Sequence, residues 1–311
     1  MQMEAIQINE TGDLDVIQQA SVPVPVCGPK QVVIRAEIAG VNYIDVYFRS
    51  GLYASELPRI LGQEVGGKIL EVGEEVEGLC VGDTVVAVTG NALAERVAVE
   101  AKLVVKVPER VSLRSCTALI LQGLTACALT HTAYQVQAGD WVLIHAAAGG
   151  TGLLLVQIAK ALGAYVIGTT SSEEKADIVR QHGADHVLLY GEGNASAMEN
   201  ADQVLKLTDG KGVQVVYDSV GQATWDANFH AVARLGTLVS FGQSSGKPED
   251  LALARLSAKN LRVLRPTLFN YLDTQQDTQY YAGILFDMVA QGQVQVNVWR
   301  EYMFGASGGS F

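Results

Sequence analysis

The sequence predicts an α/β protein in two parts: a mainly β first part, then a doubly wound parallel sheet of six strands. Three observations lead there. The chain has 311 residues, room for about two domains of ~100–200 residues each. Its first part holds short Val/Ile-rich runs cut by Gly, Asp or Pro. From about Gln122, apolar runs alternate with longer helical runs, the pattern of βαβ units.

In the first part AIQI, QVVIRAEI, GGKILEVG, DTVVAV and LVVKV read as strands, because β-branched side chains suit a pleated, half-buried surface. The second part offers WVLIHA, YVIGTT, HVLLY, VQVVYDSV, TLVSFG and LRVLRP as strands. GGTGLLLVQIAKALG and SEEKADIVRQHG read as helices between them, the latter opened by a capping box of Ser171 and Glu174. Asp218, inside VYDSVG, is expected to finish its strand. Beyond Pro266, Gln275 to Gln291 reads as a helix and VQVNV as a strand. The expected organisation is residues 1–121, completed by 266–311, around an inserted 122–265.

Charge and cysteine usage narrow the function classes. The 22 Lys+Arg against 33 Asp+Glu give a net charge of −11, which disfavours nucleic acid, whose binding rests on clustered cations. Cys27, Cys80, Cys116 and Cys127 are far apart and fit neither a disulfide framework nor a CxxC metal knuckle. Free thiols point to a reducing, cytoplasmic setting. The N-terminal residues lack a signal-peptide pattern, and no run of about 18 apolar residues stands out, so no membrane span is expected.

The sharpest motif is Ala146-Ala147-Ala148-Gly149-Gly150-Thr151-Gly152, between a predicted strand and a predicted helix. It matches the GxGxxG dinucleotide fingerprint with Ala147 in the first glycine position. Gly149 lets the backbone approach a pyrophosphate, Gly152 lets helix and strand pack closely, and the helix start supplies N–H groups. Six strands with this motif after the first describe a Rossmann sheet. An NAD site places an acid about 20 residues on, at the ribose 2′-hydroxyl. Here that place reads Gly168-Thr169-Thr170-Ser171-Ser172. A carboxylate about 4 Å from a 2′-phosphate would cost about 4 kcal/mol per unit charge at an effective dielectric near 20. Its absence, with Lys175 nearby, favours NADP(H).

The chain resembles the zinc-independent quinone oxidoreductases of the medium-chain dehydrogenase/reductase superfamily, the group that includes zeta-crystallin. Beyond AAAGGTG, the resemblance rests on Gly40-Val-Asn-Tyr-Ile-Asp45, Arg49-Ser-Gly-Leu-Tyr53, Gly62-Gln-Glu-Val-Gly66, Val216-Tyr-Asp-Ser-Val-Gly221, Val239-Ser-Phe-Gly-Gln-Ser-Ser-Gly246 and Leu264-Arg-Pro-Thr267. It implies a GroES-like catalytic domain beside the Rossmann domain, and a homodimer. It also implies hydride transfer from NADPH to a quinone-like small molecule. Asn42 and Gln63 stand where zinc relatives carry Cys and His, and amide oxygens are poor Zn²⁺ ligands. No metal is expected.

The implied cofactor contacts are Asn42 and Asp45 at the nicotinamide end, and Gly149, Gly150, Thr151 and Gly152 at the pyrophosphate. Ser171, Lys175 and Tyr190 would surround the 2′-phosphate. Phe241, Gly242, Ser244, Ser245, Arg265 and Thr267 would close over the cofactor, Arg265 in a basic patch with Lys259 and Arg262. Tyr47 and Tyr53 are candidate proton donors to the reduced acceptor, a task water also performs. An enone or enoyl reductase would share every one of these cofactor residues. A non-catalytic NADPH-binding or RNA-binding protein is the alternative from another class, and the −11 charge weighs against RNA. GASGGSF is too Gly-rich and too short for the family's closing helix, so either that segment is shortened or part of it is absent from this sequence, and the family's arginine near the end has no counterpart here.

Overall fold

The computed structural model describes residues 1–191 and 193–304, so the GASGGSF segment lies outside the described residues. The chain divides into two compact units. One holds Met1–Leu124, Leu272–Ala290 and the described residues from Gln295 on; the other holds Thr125–Tyr271 and Gln291–Val294.

The first unit is built from antiparallel strands. Strands β1 (Gln2–Ile8), β2 (Ile17–Pro23) and β4 (Arg59–Ile60) form one sheet in the order β2-β1-β4. Strands β3 (Gln31–Gly40), β5 (Glu64–Val72), β6 (Thr84–Val88), β7 (Arg96–Glu100) and β8 (Val104–Lys106) form the other, in the order β7-β3-β5-β6-β8. Val85, Val86, Ala87 and Val88 are all buried, so β6 sits in the middle of the packing. Ile6, Ile8, Val16, Leu61 and Leu93 make a second core beneath the smaller sheet. Helix α1 (Tyr43–Arg49) leads from β3, and α2 (Leu113–Ala128) follows β8.

The second unit carries β9 (Trp141–Ile144), β10 (Tyr165–Thr170), β11 (His186–Leu189), β12 (Val213–Asp218), β13 (Val232–Ser240) and β14 (Arg262–Leu264). All neighbours pair in parallel, in the order β11-β10-β9-β12-β13-β14. That is the doubly wound 3-2-1-4-5-6 order, whose switch point lies between β9's two neighbours. Helices α3 (Gly150–Ala161), α4 (Glu173–Gln181), α5 (Ala197–Leu207) and α6 (Trp225–Ala231) lie between the strands in sequence, and the short α7 (Ala254–Ser257) precedes β14. Leu143, Ile167, Val204, Val216, Trp225 and Leu238 belong to one core cluster. Helix α8 (Gln275–Ala290) lies in the first unit.

Several expectations need correction. Strands β2, β4 and β7 were not expected; β2 is half polar, and β4 has only two residues. VQVNV forms no strand: its residues alternate inward and outward but meet no strand to pair with among the described residues. The capping box at Ser171 and Glu174 is off by one residue. Helix α4 starts at Glu173, and it is the Ser172 hydroxyl that accepts from the Lys175 N–H at 3.3 Å. A true box of Ser196 and Glu199 opens α5 instead. Finally, the helical stretch Leu113–Ala133 is long and apolar enough to cross a bilayer by length and composition, with 61% of its apolar window buried inside the protein.

Candidate active site

The glycine-rich loop leaves β9 through Ala146, which takes a left-handed φ of 50° and turns the chain sharply. The Ala146 carbonyl accepts from the Gly149 N–H at 2.9 Å, closing the turn, and Gly149 caps α3. A Cβ at Gly152 would stand 2.5 Å from the Ala146 carbonyl oxygen and 2.9 Å from Ala147 Cα, so only glycine fits. The first-turn N–H groups of α3 have no acceptor within the helix, the arrangement that suits an anion. Ala147, in the first glycine position, has its own accommodation: a Cβ at Gly168 of β10 would meet the Ala147 methyl at 2.9 Å. The glycine missing from the loop is supplied by the neighbouring strand.

At the end of β10 the structure brings together three predicted residues. Lys175 Nζ donates to the Ser171 hydroxyl at 3.3 Å, and the Tyr190 hydroxyl shares a hydrogen bond with Ser171. Burial pushes the Tyr190 phenol above its ordinary range. Among the described residues no acid side chain takes part in the group, and Ser171 and Lys175 are exposed.

The segment after β13 is zipped to the one after β12. The N–H groups of Phe241, Ser244 and Ser245 donate to the carbonyls of Asp218, Ser219 and Val220 at 2.8, 3.1 and 2.9 Å. A Cβ at Gly242 would meet the Ser219 carbonyl at 2.7 Å. The Ser245 hydroxyl is engaged with the Val220 carbonyl and the Ala223 N–H, whereas Ser244 is exposed. Arg265 Nη1 donates to the carbonyls of Ser240 and Gly242 at 2.9 and 3.3 Å, so it braces this segment. Thr267 is exposed beyond β14. The expected basic patch does not assemble. Lys259 Nζ donates to the carbonyls of Phe229, His230 and Val232, and Arg262 Nη2 to that of Leu235, at the other end of β14 from Arg265.

Beneath the switch point runs a buried polar relay that the sequence reading missed. Asp218 is 0% exposed and accepts from the N–H groups of Val220 and Gly221, from Thr224 and from Asn228 Nδ2. The Asn228 amide therefore turns Oδ1 toward His145 Nε2, 2.7 Å away. Nε2 must carry the proton, and in the neutral ring Nδ1 accepts from the Thr169 hydroxyl at 3.0 Å. Every member of the relay is satisfied, which rigidifies the ends of β9, β10 and β12.

In the first unit, a second polar cluster forms where α1, β5 and α2 meet. Asp45 accepts from the Asn42 N–H at 3.0 Å and the Gly62 N–H at 2.8 Å, tying the start of α1 to the turn before β5. Burial pushes the Asp45 carboxyl up, opposed by those two N–H groups and by Arg59. The Asn42 Nδ2 donates to Glu64 Oε1 at 2.9 Å, and Gln122 Nε2 donates to Asn42 Oδ1 at 2.8 Å. Glu64 Oε2 accepts from the Leu121 N–H at 3.0 Å. Burial raises the Glu64 carboxyl to about 7. Tyr47 is buried between the rings of Tyr43 and Tyr53, at 5.3 and 4.9 Å, and Arg59 lies 3.6 Å over the Phe48 ring.

Comparison with known proteins fits both halves. Residues 28–109 match the profile described as an alcohol dehydrogenase GroES-like domain, and residues 150–283 that of a zinc-binding dehydrogenase. A quinone oxidoreductase of Pseudomonas aeruginosa is 42% identical over 279 residues, 88% of this chain and 84% of that one. The chain belongs to the quinone oxidoreductase family of the medium-chain dehydrogenases/reductases. Among solved members, a mycobacterial protein complexed with NADPH superposes with a TM-score of 0.91 at 41% identity, covering 95% of this chain and 91% of that one. A 2-haloacrylate reductase of a Burkholderia species is 35% identical over 313 residues, 97% of this chain and 92% of that one.

Within this family the donor set bears on the word zinc in the profile's description. Asn42 Oδ1 is held by Gln122, and Gln63 Nε2 donates to the Gly62 carbonyl. Among the described residues no group of three or more His, Cys, Asp or Glu lies close enough to hold a metal ion. Cys116 and Cys127 are buried, and burial pushes both thiols to about 12. The missed residues are Glu64, Gln122, Asn228 and Gly168. Only Glu64 left a signal, as an acid opening a strand whose next three residues are Val, Gly and Gly.

Proposed function

We propose that the protein is an NADPH-dependent quinone oxidoreductase that works without zinc. The grouping of Ser171, Lys175 and Tyr190 at the end of β10, with no acid in it among the described residues, carries this reading: a cation and two hydroxyls fit a 2′-phosphate. Gly149, Gly150, Thr151 and Gly152 would hold the pyrophosphate, the cradle being too tight for a Cβ at residue 152. Asn42 and Asp45 would bind the nicotinamide end; Phe241, Gly242, Ser244, Ser245, Arg265 and Thr267 would line the cofactor. When bound, the nicotinamide supplies a hydride.

The acceptor gains that hydride and one proton and leaves as the hydroquinone. Aromatisation of the ring drives the step, so no Lewis acid is required. The protein's task is to orient the acceptor and exclude water. The rings of Tyr43, Tyr47, Phe48 and Tyr53 would provide an aromatic wall for a planar acceptor, with Tyr47 or Tyr53 delivering the proton. The working form is a cytoplasmic homodimer, as the family resemblance implies; light scattering that gives a monomer mass would refute the dimer.

Stopped-flow oxidation of NADPH by 1,4-benzoquinone tests the activity, with NADH as the competing donor. Absence of turnover with any quinone overturns it. The 2-haloacrylate relative supports a second reading, reduction of an activated carbon–carbon double bond, which is favoured if 2-haloacrylates or enones outpace quinones. Undiminished turnover after a strong zinc chelator is expected; loss restored by Zn²⁺ would overturn the zinc-free mechanism.

A further inference from the structure

Glu64 is 2% exposed and opens β5 opposite Gly40 of β3 and Val88 of β6. A Cβ at Gly40 would stand 1.8 Å from Glu64 Oε1, so the chain keeps a glycine there to admit the carboxylate. No lysine or arginine makes an ion pair with Glu64 among the described residues. Burying an acid without a cation is costly, and it persists here at the carboxylate that accepts from the side-chain amide of Asn42.

We propose that Glu64 is a positioning residue whose carboxylate decides which edge of the Asn42 amide carries the N–H groups. The inference rests on the proposed placement of Asn42 at the nicotinamide. The polarity of the chain of bonds is set from one end. The Leu121 N–H can only donate, and ionised Glu64 can only accept. Asn42 must therefore turn Nδ2 to Glu64 and Oδ1 to Gln122, which turns Nε2 back. If the group at residue 64 gains a donor facing Asn42, the pattern reverses. Asn42 turns over, the half-buried Gln122 follows, and every bond is still made. Both the protonated acid and a glutamine supply that donor. The reversed amide offers an acceptor where a donor stood, so whatever reads Asn42 is misread while the fold is kept.

The charged neighbour of Glu64 is Asp45 of α1, which Arg59 of β4 faces; α2 presents the Leu121 amide and β3 presents Gly40, neither of them charged. Asp45 adds to the burial that raises the Glu64 carboxyl to about 7. The test begins in the cofactor-free protein. Side-chain amide signals of Asn42 in ¹⁵N-labelled protein, assigned by their loss in N42D, should shift as pH rises through neutrality and should not titrate in Glu64→Gln.

Single-turnover oxidation of bound NADPH is the second readout. The wild-type rate should fall about 10-fold from about pH 8 to about pH 6, following one ionisation near 7. E64Q should stay at the low level throughout, with the binding of NADPH little changed. Glu64→Asp keeps the carboxylate and should retain the acid limb, which carries the test if E64Q fails to fold. Asn42 signals that ignore both pH and E64Q overturn the proposal, as does a wild-type rate in E64Q. If Asn42 titrates as described but N42A transfers hydride at the wild-type rate, the placement of Asn42 at the cofactor falls, while Glu64's control of the amide stands.

Discussion

Two single-methyl additions in the glycine-rich loop separate the two duties proposed for it. In Gly152→Ala the new Cβ would lie 2.5 Å from the Ala146 carbonyl oxygen and 2.9 Å from Ala147 Cα. Both are backbone atoms, so the turn between β9 and α3 must open by about 0.9 Å to restore ordinary contact. Overpacking of that kind costs about 1–3 kcal/mol, against about 0.5–1 kcal/mol gained by replacing a helical glycine. The net loss should lower the melting temperature by about 2–4 °C per kcal/mol for a unit of this size. It should also move the cradle amides enough to weaken NADPH binding at least ~10-fold.

Gly149→Ala differs. Its φ of −72° accepts alanine, and its Cβ would meet only the Ala146 carbonyl oxygen, at 3.2 Å, so a few tenths of an ångström suffice. Melting should stay within a degree or two of wild type. The methyl, however, would stand on the exposed face that a pyrophosphate approaches, and affinity should drop about 10–100-fold. Calorimetric titration of NADPH beside thermal unfolding reads both effects. If G149A binds NADPH within twofold of wild type, or G152A melts and binds as wild type does, the assignment of this loop is wrong.

Gly168→Ala should destabilise by about 1–2 kcal/mol through its clash with the Ala147 methyl and with Val179, and adding Ala147→Gly should recover part of that loss; additive effects in denaturant unfolding would refute the contact. Lys175→Ala should raise the KM for NADPH about 10–100-fold, as loss of a charged hydrogen bond does, and leave that for NADH unchanged; parallel changes would remove Lys175 from the 2′-phosphate. Glu64 also sets a pH dependence of stability. Its carboxyl rises from 4.5 to about 7 on folding, so the native state holds this proton more tightly than the unfolded chain. Its contribution is full below about pH 4.5 and is lost as pH rises through about 7, on the order of 3 kcal/mol at most. Thermal unfolding of wild type across this range should lose stability where E64Q does not, and parallel curves would contradict it.

The six parallel strands were legible because each is an apolar, β-branched run closed by turn residues, and a strand buried on both faces has no other pattern to show. The fingerprint after the first of them pointed to a Rossmann sheet. Strand β2 was not legible, since IQQASVP buries little and is held by its partner β1 rather than by its own composition. The cap of α4 was misread because two adjacent serines offer the same chemistry, and only the path of β10 decides between them. Gly149, Gly152 and Lys175 could be picked out by type and spacing, whereas Tyr190 came from the family resemblance. Glu64, by contrast, acts through Asn42, 22 positions away, and Leu121, 57 positions away, and Gln122 reaches Asn42 across 80. No local pattern records such bonds. The Asp218–Asn228–His145 relay was hidden for the same reason: Asn228 lies 10 positions from Asp218 and 83 from His145, and Asp218 alone read as a strand end.

The contact between the Ala147 methyl and Gly168 has a historical consequence. Alanine can enter the first fingerprint position only in a chain whose neighbouring strand already carries glycine at 168. Glycine at 168 can be replaced later only if residue 147 reverts first. The two positions therefore have a required order of change, and lineages should show three of the four combinations of glycine and larger residues there. A search that scores the loop by its own three glycines passes such chains over; one that scores residues 147 and 168 as a pair finds them.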